Sequence, residues 1–89
     1  MVKRAKLEIM KDILEIIKRN KNSIKPTPLL RKSGLSSASF KEYYVDLLRK
    51  NLVKEIINKE EKLIILTDMG FRFLERYRSI VDFIEEFDL

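Results

Sequence analysis

The period of the apolar positions changes along this chain, and each change marks an element. From residue 4 to residue 19, Leu7, Met10, Ile13, Leu14 and Ile17 recur at steps of three and four, which places them on one face of a helix. Asn20-Lys21-Asn22-Ser23 ends that helix, and Ile24-Lys25 leaves room for a one- or two-residue bridge to a sheet. Thr27 before Pro28 reads as an N-cap followed by a first helical position, where a missing N–H has no helical partner anyway. A short second helix over 28–33 then stops at Gly34 in a left-handed C′ conformation. Ser36 caps a third helix over 37–50. Its stripe of Phe40, Tyr43, Tyr44, Leu47 and Leu48 predicts one buried face, with Ser39, Lys41, Glu42, Val45, Asp46 and Arg49 on the other. Asn51 takes the left-handed stop.

Two short runs rich in β-branched residues follow, Leu52–Ile57 and Lys62–Leu66. They flank a polar tip, Asn58-Lys59-Glu60-Glu61, and predict a hairpin. Thr67 caps a last helix running to Asp88, with Asp68 favourable in its first turn. Along that helix Phe73, Tyr77, Ile80, Ile84 and Phe87 step by four, three, four and three, a heptad seam that Leu74, Val81 and Phe83 widen. An 89-residue chain has little core left to cover the part beyond Tyr77. The expectation is that Phe73, Tyr77, Ile80, Val81, Ile84 and Phe87 bury against a second copy, with Asp82, Glu85, Glu86 and Asp88 facing solvent. The predicted fold is mainly α with a small β-hairpin, in the order α-(β)-α-α-β-β-α. It forms one structural unit, residues 1–67 followed by a dimerisation helix over 68–89.

Composition narrows the chemistry. Cys and His are both absent, which removes disulfides, thiol nucleophiles, Cys/His zinc sites and imidazole catalysis. No Gly-rich phosphate loop and no metal-spaced cluster is present. The sequence therefore predicts no enzyme, no metal, no cofactor and no small-molecule substrate. The longest apolar run, Leu63–Leu66, is far too short for a membrane span, and no apolar leader follows the basic start, so an intracellular, nucleoid-associated protein is expected. Gln is absent while Lys, Glu and Ile abound, as in archaeal and thermophilic proteins. Charge is the most informative quantity. The net charge is +5, but residues 1–50 carry 13 Lys/Arg against 5 Asp/Glu, and residues 51–89 carry 6 against 9. The first half thus favours a polyanion.

A short helix, a Gly-containing turn and a second helix make a helix-turn-helix, whose second helix enters the DNA major groove. Two stretches carry a resemblance: "RKSGLSSASFKEYYVDLLRKNLV" (31–53) and "LTDMGFRFLERY" (66–77). The chain resembles the small archaeal winged-helix proteins of about ten kilodaltons, which comprise predicted transcriptional regulators and crenarchaeal chromatin-type DNA binders. The shared pattern is a hydroxyl-rich turn, an aromatic-Tyr-Leu-Leu recognition helix and a Leu-Thr-x-x-Gly opening of the last helix. The resemblance implies a winged-helix homodimer on double-stranded DNA, with the last helices paired as an antiparallel coiled coil. Two departures stand out. Asn51 replaces the usual Gly, and Glu60 and Glu61 make an unusually acidic wing tip.

By position, Ser36, Ser37, Ser39 and Lys41 are expected to face the groove. Glu42 and Val45 can read bases, since Glu accepts from cytosine N4 and an apolar group meets a thymine methyl. Thr27, Arg31 and Lys32 are phosphate candidates around the second helix. Lys59 and Lys62 are the wing candidates, with Lys25 and Arg49 weaker ones. The basic start, Lys3-Arg4-Lys6, reads as a DNA-contacting arm or a frayed end. A winged-helix module that binds protein instead of DNA is the alternative, supported by the acidic tip.

Overall fold

The computed structural model describes residues 2–89, with side chains from Lys6 onward. Its elements are α1 (Val2–Arg19), α2 (Pro26–Ser33), α3 (Ser37–Arg49), β1 (Val53–Asn58), β2 (Glu61–Leu66) and α4 (Asp68–Glu86). This is a winged helix: three helices pack into a bundle, a two-stranded hairpin closes it, and a fourth helix crosses behind.

The core follows the predicted stripes. Met10, Ile13, Leu14 and Ile17 of α1 meet Leu29 of α2, Phe40 and Leu47 of α3, Val53, Ile64 and Leu66 of the hairpin, and Leu74 of α4. Burying one such side chain is worth roughly 1.5–3 kcal/mol, so this single cluster accounts for most of what a small domain has to offset its chain entropy. The strands pair antiparallel from Val53–Leu66 to Asn58–Glu61, which puts Val53, Ile64 and Leu66 on the inner face. Ile24 adds a one-residue third strand, exchanging hydrogen bonds with Ile64 at 3.2 and 2.8 Å.

Three local expectations change. The second helix begins at Pro26, with Lys25 in the N-cap position (φ −76°, ψ 154°), and Thr27 lies inside its first turn. Two of the first three helical residues are prolines without an N–H, so almost no orphan donor remains for a Thr27 cap to satisfy. The hairpin tip is two residues, not four: Lys59 and Glu60 both take positive φ (54° and 68°), the turn whose twist matches the flanking strands. Asp46 lies on the outer face of α3 as expected, but Lys6, Arg49 and Lys50 cover it there to 7 % exposure.

The turns that aim α3 and α4 are built as predicted. Gly34 holds φ 73° at the end of α2, and Asn51 takes φ 61° after α3. Ser36 Oγ accepts from the Ser39 N–H at 3.2 Å, and Thr67 Oγ1 accepts from the Gly70 N–H at 3.1 Å. A Cβ on Gly70 would collide with the Leu52 carbonyl oxygen. The Gly of the Leu-Thr-x-x-Gly pattern is therefore needed for close approach between α4 and the chain entering the hairpin, not for a turn.

Candidate nucleic-acid interface

The helix-turn-helix presents one face of α3. Phe40 and Leu47 anchor the helix in the core, while Tyr43, Tyr44 and Leu48 pack half-buried around them. Both tyrosines are thus packing residues. Phe40 and Tyr44 stack with ring centroids 5.6 Å apart, and the Tyr44 hydroxyl donates to Glu55 on β1. Burial, then that hydrogen bond, pushes the Tyr44 hydroxyl well above the ordinary phenol range. The tie fixes α3 against the wing.

With that side anchored, Ala38, Lys41, Glu42, Val45, Asp46 and Arg49 line a shallow groove on the outer side of α3, and Val45 is 47 % exposed. Ser36 and Ser37 are exposed at its N-terminal end. Ser39 is only half-exposed. Ala38 is the face residue the sequence reading missed. Its signal was present: 38, 41, 42, 45 and 49 repeat the period of the core stripe, offset around the helix.

Around this groove the cations differ in their freedom. Thr27, Arg31 and Lys32 are exposed on α2, and Lys32 Nζ lies 3.4 Å from Asn20 Oδ1. Among the described residues, Arg31, Lys41 and Lys59 have no ion-pair partner. Lys62 on the wing instead pairs with Glu55 at 3.6 Å, and Lys25 pairs with Glu61 at 3.1 Å. Of the wing lysines Lys62 is thereby neutralised, while Lys54 and Lys59 have no ion pair among the described residues. Lys6 of the expected arm is a helical residue paired with Asp46, while the side chains of Lys3 and Arg4 lie outside the described residues.

A second surface lies on α4. Phe73 and Tyr77 are half-buried and stacked, with centroids 6.4 Å apart, and Lys11 of α1 sits over the Tyr77 ring at 5.6 Å. Lys11 is held above its ordinary range, mainly by its bond to Asp12. Beyond Tyr77 nothing is buried. Ile80 is 59 % and Phe87 57 % exposed, Ile84 and Phe83 are exposed beside them, and Val81 is half-covered. An apolar groove of about 310 Å³ runs between Leu52, Met69, Phe73, Tyr77 and Ile80, rimmed by Arg72 and Arg76.

These features coincide with a known family. The family model for the winged helix-turn-helix matches residues 3–85. The chain belongs to that family, which is not one of enzymes. No curated protein matches significantly in sequence. Solved structures share the fold. One is Sso10a-2, a DNA-binding protein from Sulfolobus solfataricus, at 17 % identity and TM-score 0.71, over 91 % of this chain and 82 % of that one. Another is F93 from STIV, a winged-helix DNA-binding protein, at 15 % identity and TM-score 0.70, over 91 % and 89 %. MepR, a transcription regulator of a Staphylococcus aureus multidrug efflux pump, aligns at 19 % identity and TM-score 0.75, over 88 % of this chain but 59 % of its own. The structural relatives thus include the small archaeal winged-helix proteins that the sequence resemblance pointed to, and viral ones beside them. No helix among the described residues is long and apolar enough to cross a membrane.

Proposed function

We propose that this chain is a homodimeric winged-helix protein that binds duplex DNA through α3 in the major groove, as a transcriptional regulator or a chromatin-associated binder. The observation that carries the reading is the division of α3: one side fills the core, and the other is a free groove edged by hydroxyls and cations. DNA-binding proteins among the structural relatives support it. In this reading Ser36, Ser37, Ser39 and Lys41 approach the groove edge, and Glu42 and Val45 read bases. Thr27, Arg31 and Lys32 hold phosphates on one flank, with a lesser share from Lys59 and Lys62. The basic half of the chain meets the polyanion, and the acidic end of α4 points elsewhere.

The dimer rests on α4. Phe73, Tyr77, Ile80, Val81, Ile84 and Phe87 form a continuous seam, and its distal half is uncovered within the chain. Charge favours an antiparallel pair. The middle of α4, residues 72–78, carries Arg72, Arg76 and Arg78 against Glu75, whereas its last turns carry Asp82, Glu85 and Glu86 with no cation, the wrong sign for a helix C-terminus. Antiparallel pairing sets each acidic end beside the partner's arginines, while parallel pairing stacks carboxylates together.

One observation favours a different use of the fold. The wing balances Lys54, Lys59 and Lys62 with Glu55, Glu60 and Glu61, ties Lys62 to Glu55, and exposes Ile57 at 69 %, features suited to a protein partner. Fluorescence anisotropy with random and AT-rich duplexes, titrated at several salt concentrations, separates the two. DNA binding requires a steep salt dependence, and Arg31→Ala should lower the slope of log K against log salt by about one. No binding at low salt would leave the protein-interaction reading.

A further inference from the structure

Asp46 is the buried charged side chain among the described residues, at 7 % exposure. Both its carboxylate oxygens are occupied. Oδ1 accepts from an Arg49 guanidinium nitrogen at 2.7 Å, and Oδ2 lies 3.1 Å from both Lys6 Nζ and Lys50 Nζ. Arg49 and Lys50 belong to the end of α3, but Lys6 comes from α1. One carboxylate is therefore ringed by three cations, leaving two positive charges in surplus. The carboxylate is shielded, with its side chain 10 % exposed, while all three cations remain open to solvent. An ammonium has three donors and a guanidinium five, so one bond to Asp46 leaves each cation with donors to spare. The cations, Lys50 foremost, hold the Asp46 carboxyl well below the usual carboxylate range.

We propose that Asp46 is a positioning residue that assembles Lys6, Arg49 and Lys50 into a phosphate-binding site at the C-terminal end of α3. The ligand is a phosphodiester of the DNA backbone, beside the groove of Lys41, Glu42, Val45 and Arg49. The inference rests on α3 meeting DNA. Physically, the end of α3 is the negative pole of its dipole and repels phosphate unless cations cover it. Three long side chains placed there unaided would repel one another and lose rotamer freedom on binding. The buried carboxylate orders them during folding instead, so less entropy is lost when DNA arrives.

The test is Asp46→Asn, because two mechanisms predict opposite signs. If Asp46 merely adds negative charge near DNA, its removal tightens binding. If it positions the cations, removal weakens binding. The expected result is weaker binding by roughly eightfold at 0.1 M salt for each phosphate no longer neutralised, with the salt slope reduced by about one to two. Equal or tighter binding with an unchanged slope overturns the proposal. Lys6→Gln, a half-exposed change on α1, should by itself reduce the slope by about one, and should do less in the Asp46→Asn background. If Asp46→Asn does not fold, Lys6→Gln decides alone, and an unchanged slope sinks the idea. A wild-type chain that binds no duplex overturns the reading of α3 and this inference with it. A binding wild type with both variants unaffected overturns this inference only.

Discussion

The third and fourth helices are both amphipathic, but they end in opposite conditions. α3 is 13 residues long, and every apolar residue of its stripe from Phe40 to Leu48 touches the core. What it leaves free is hydroxyl, cation and carboxylate, with Ala38 and Val45 among them. α4 is 19 residues long, buries only Gly70 and Leu74, and leaves apolar side chains free over its last three turns. A helix with its apolar side satisfied and its polar side open is built to meet a charged, hydrated partner. One with its apolar side open is built to meet another apolar surface. The same 3.6-residue periodicity therefore carries two meanings here, and what decides between them is how much core the chain has left at that point.

The largest effect should come from breaking the open side of α4. Ile84→Glu places two carboxylates in the seam of a dimer, where an unpaired buried charge costs several kcal/mol. The molar mass in solution at tens of micromolar should fall to that of one chain, while far-UV circular dichroism stays unchanged because Ile84 lies outside the buried core of the chain. A dimer that survives would move the interface off this seam. In α3 the equivalent change acts on folding: Leu47→Ala should lower stability by about 3 kcal/mol, since Leu47 is fully buried. That loss should appear in the denaturation midpoint and leave the mass unaltered.

The contrast also explains how much was legible from sequence. The core stripe of α1, the Gly34 and Asn51 stops, the Ser36 and Thr67 caps and the Ile24 bridge were all readable, because each follows from local geometry or from a period within one element. The start of α2 was not, because two prolines compete for the first helical turn and only the packing chooses between them. The covering of Asp46 was only partly legible. Helical spacing puts it on the outer face with Glu42 and Arg49, where it lies, and sets Arg49 and Lys50 beside it, but the third cation, Lys6, comes from forty residues away on another helix. Charge pairing across such a distance leaves no periodic trace. The two ion pairs of the wing were invisible for the same reason, since Lys62–Glu55 is set by strand register and Lys25–Glu61 by where the chain entering α2 meets the hairpin.

Acid unfolding sharpens the comparison from the α3 side. The folded-state Asp46 carboxyl is held below its ordinary value, so its stabilisation is complete above about pH 5 and fades as pH drops past the unfolded aspartate range near 4. Asp46→Asn should therefore flatten the acid limb of the stability profile. Asp82→Asn on α4 removes only an open surface pair, with Arg78 at 3.8 Å, and should change stability by no more than about 0.5 kcal/mol. Equal acid limbs for wild type and Asp46→Asn would show that the three cations do not hold the carboxyl in solution.

The smallest difference lies in the two caps. Ser36 and Thr67 start their helices alike, each accepting the N–H three residues on. Thr67 does more, because its hydroxyl also donates to the Asn51 carbonyl oxygen at 2.6 Å and its own N–H reaches the Leu52 carbonyl at 3.1 Å. It thereby ties the start of α4 to the turn that ends α3. Ser36→Ala should cost about 1 kcal/mol, the ordinary value of a cap. Thr67→Ala loses the same cap and a second hydrogen bond, so it should cost about 1 kcal/mol more. Denaturant titration of both variants resolves that gap. Equal losses would mean that the Thr67–Asn51 bond contributes nothing to stability, and that the two recognition surfaces are oriented by the Gly70–Leu52 contact and the core alone.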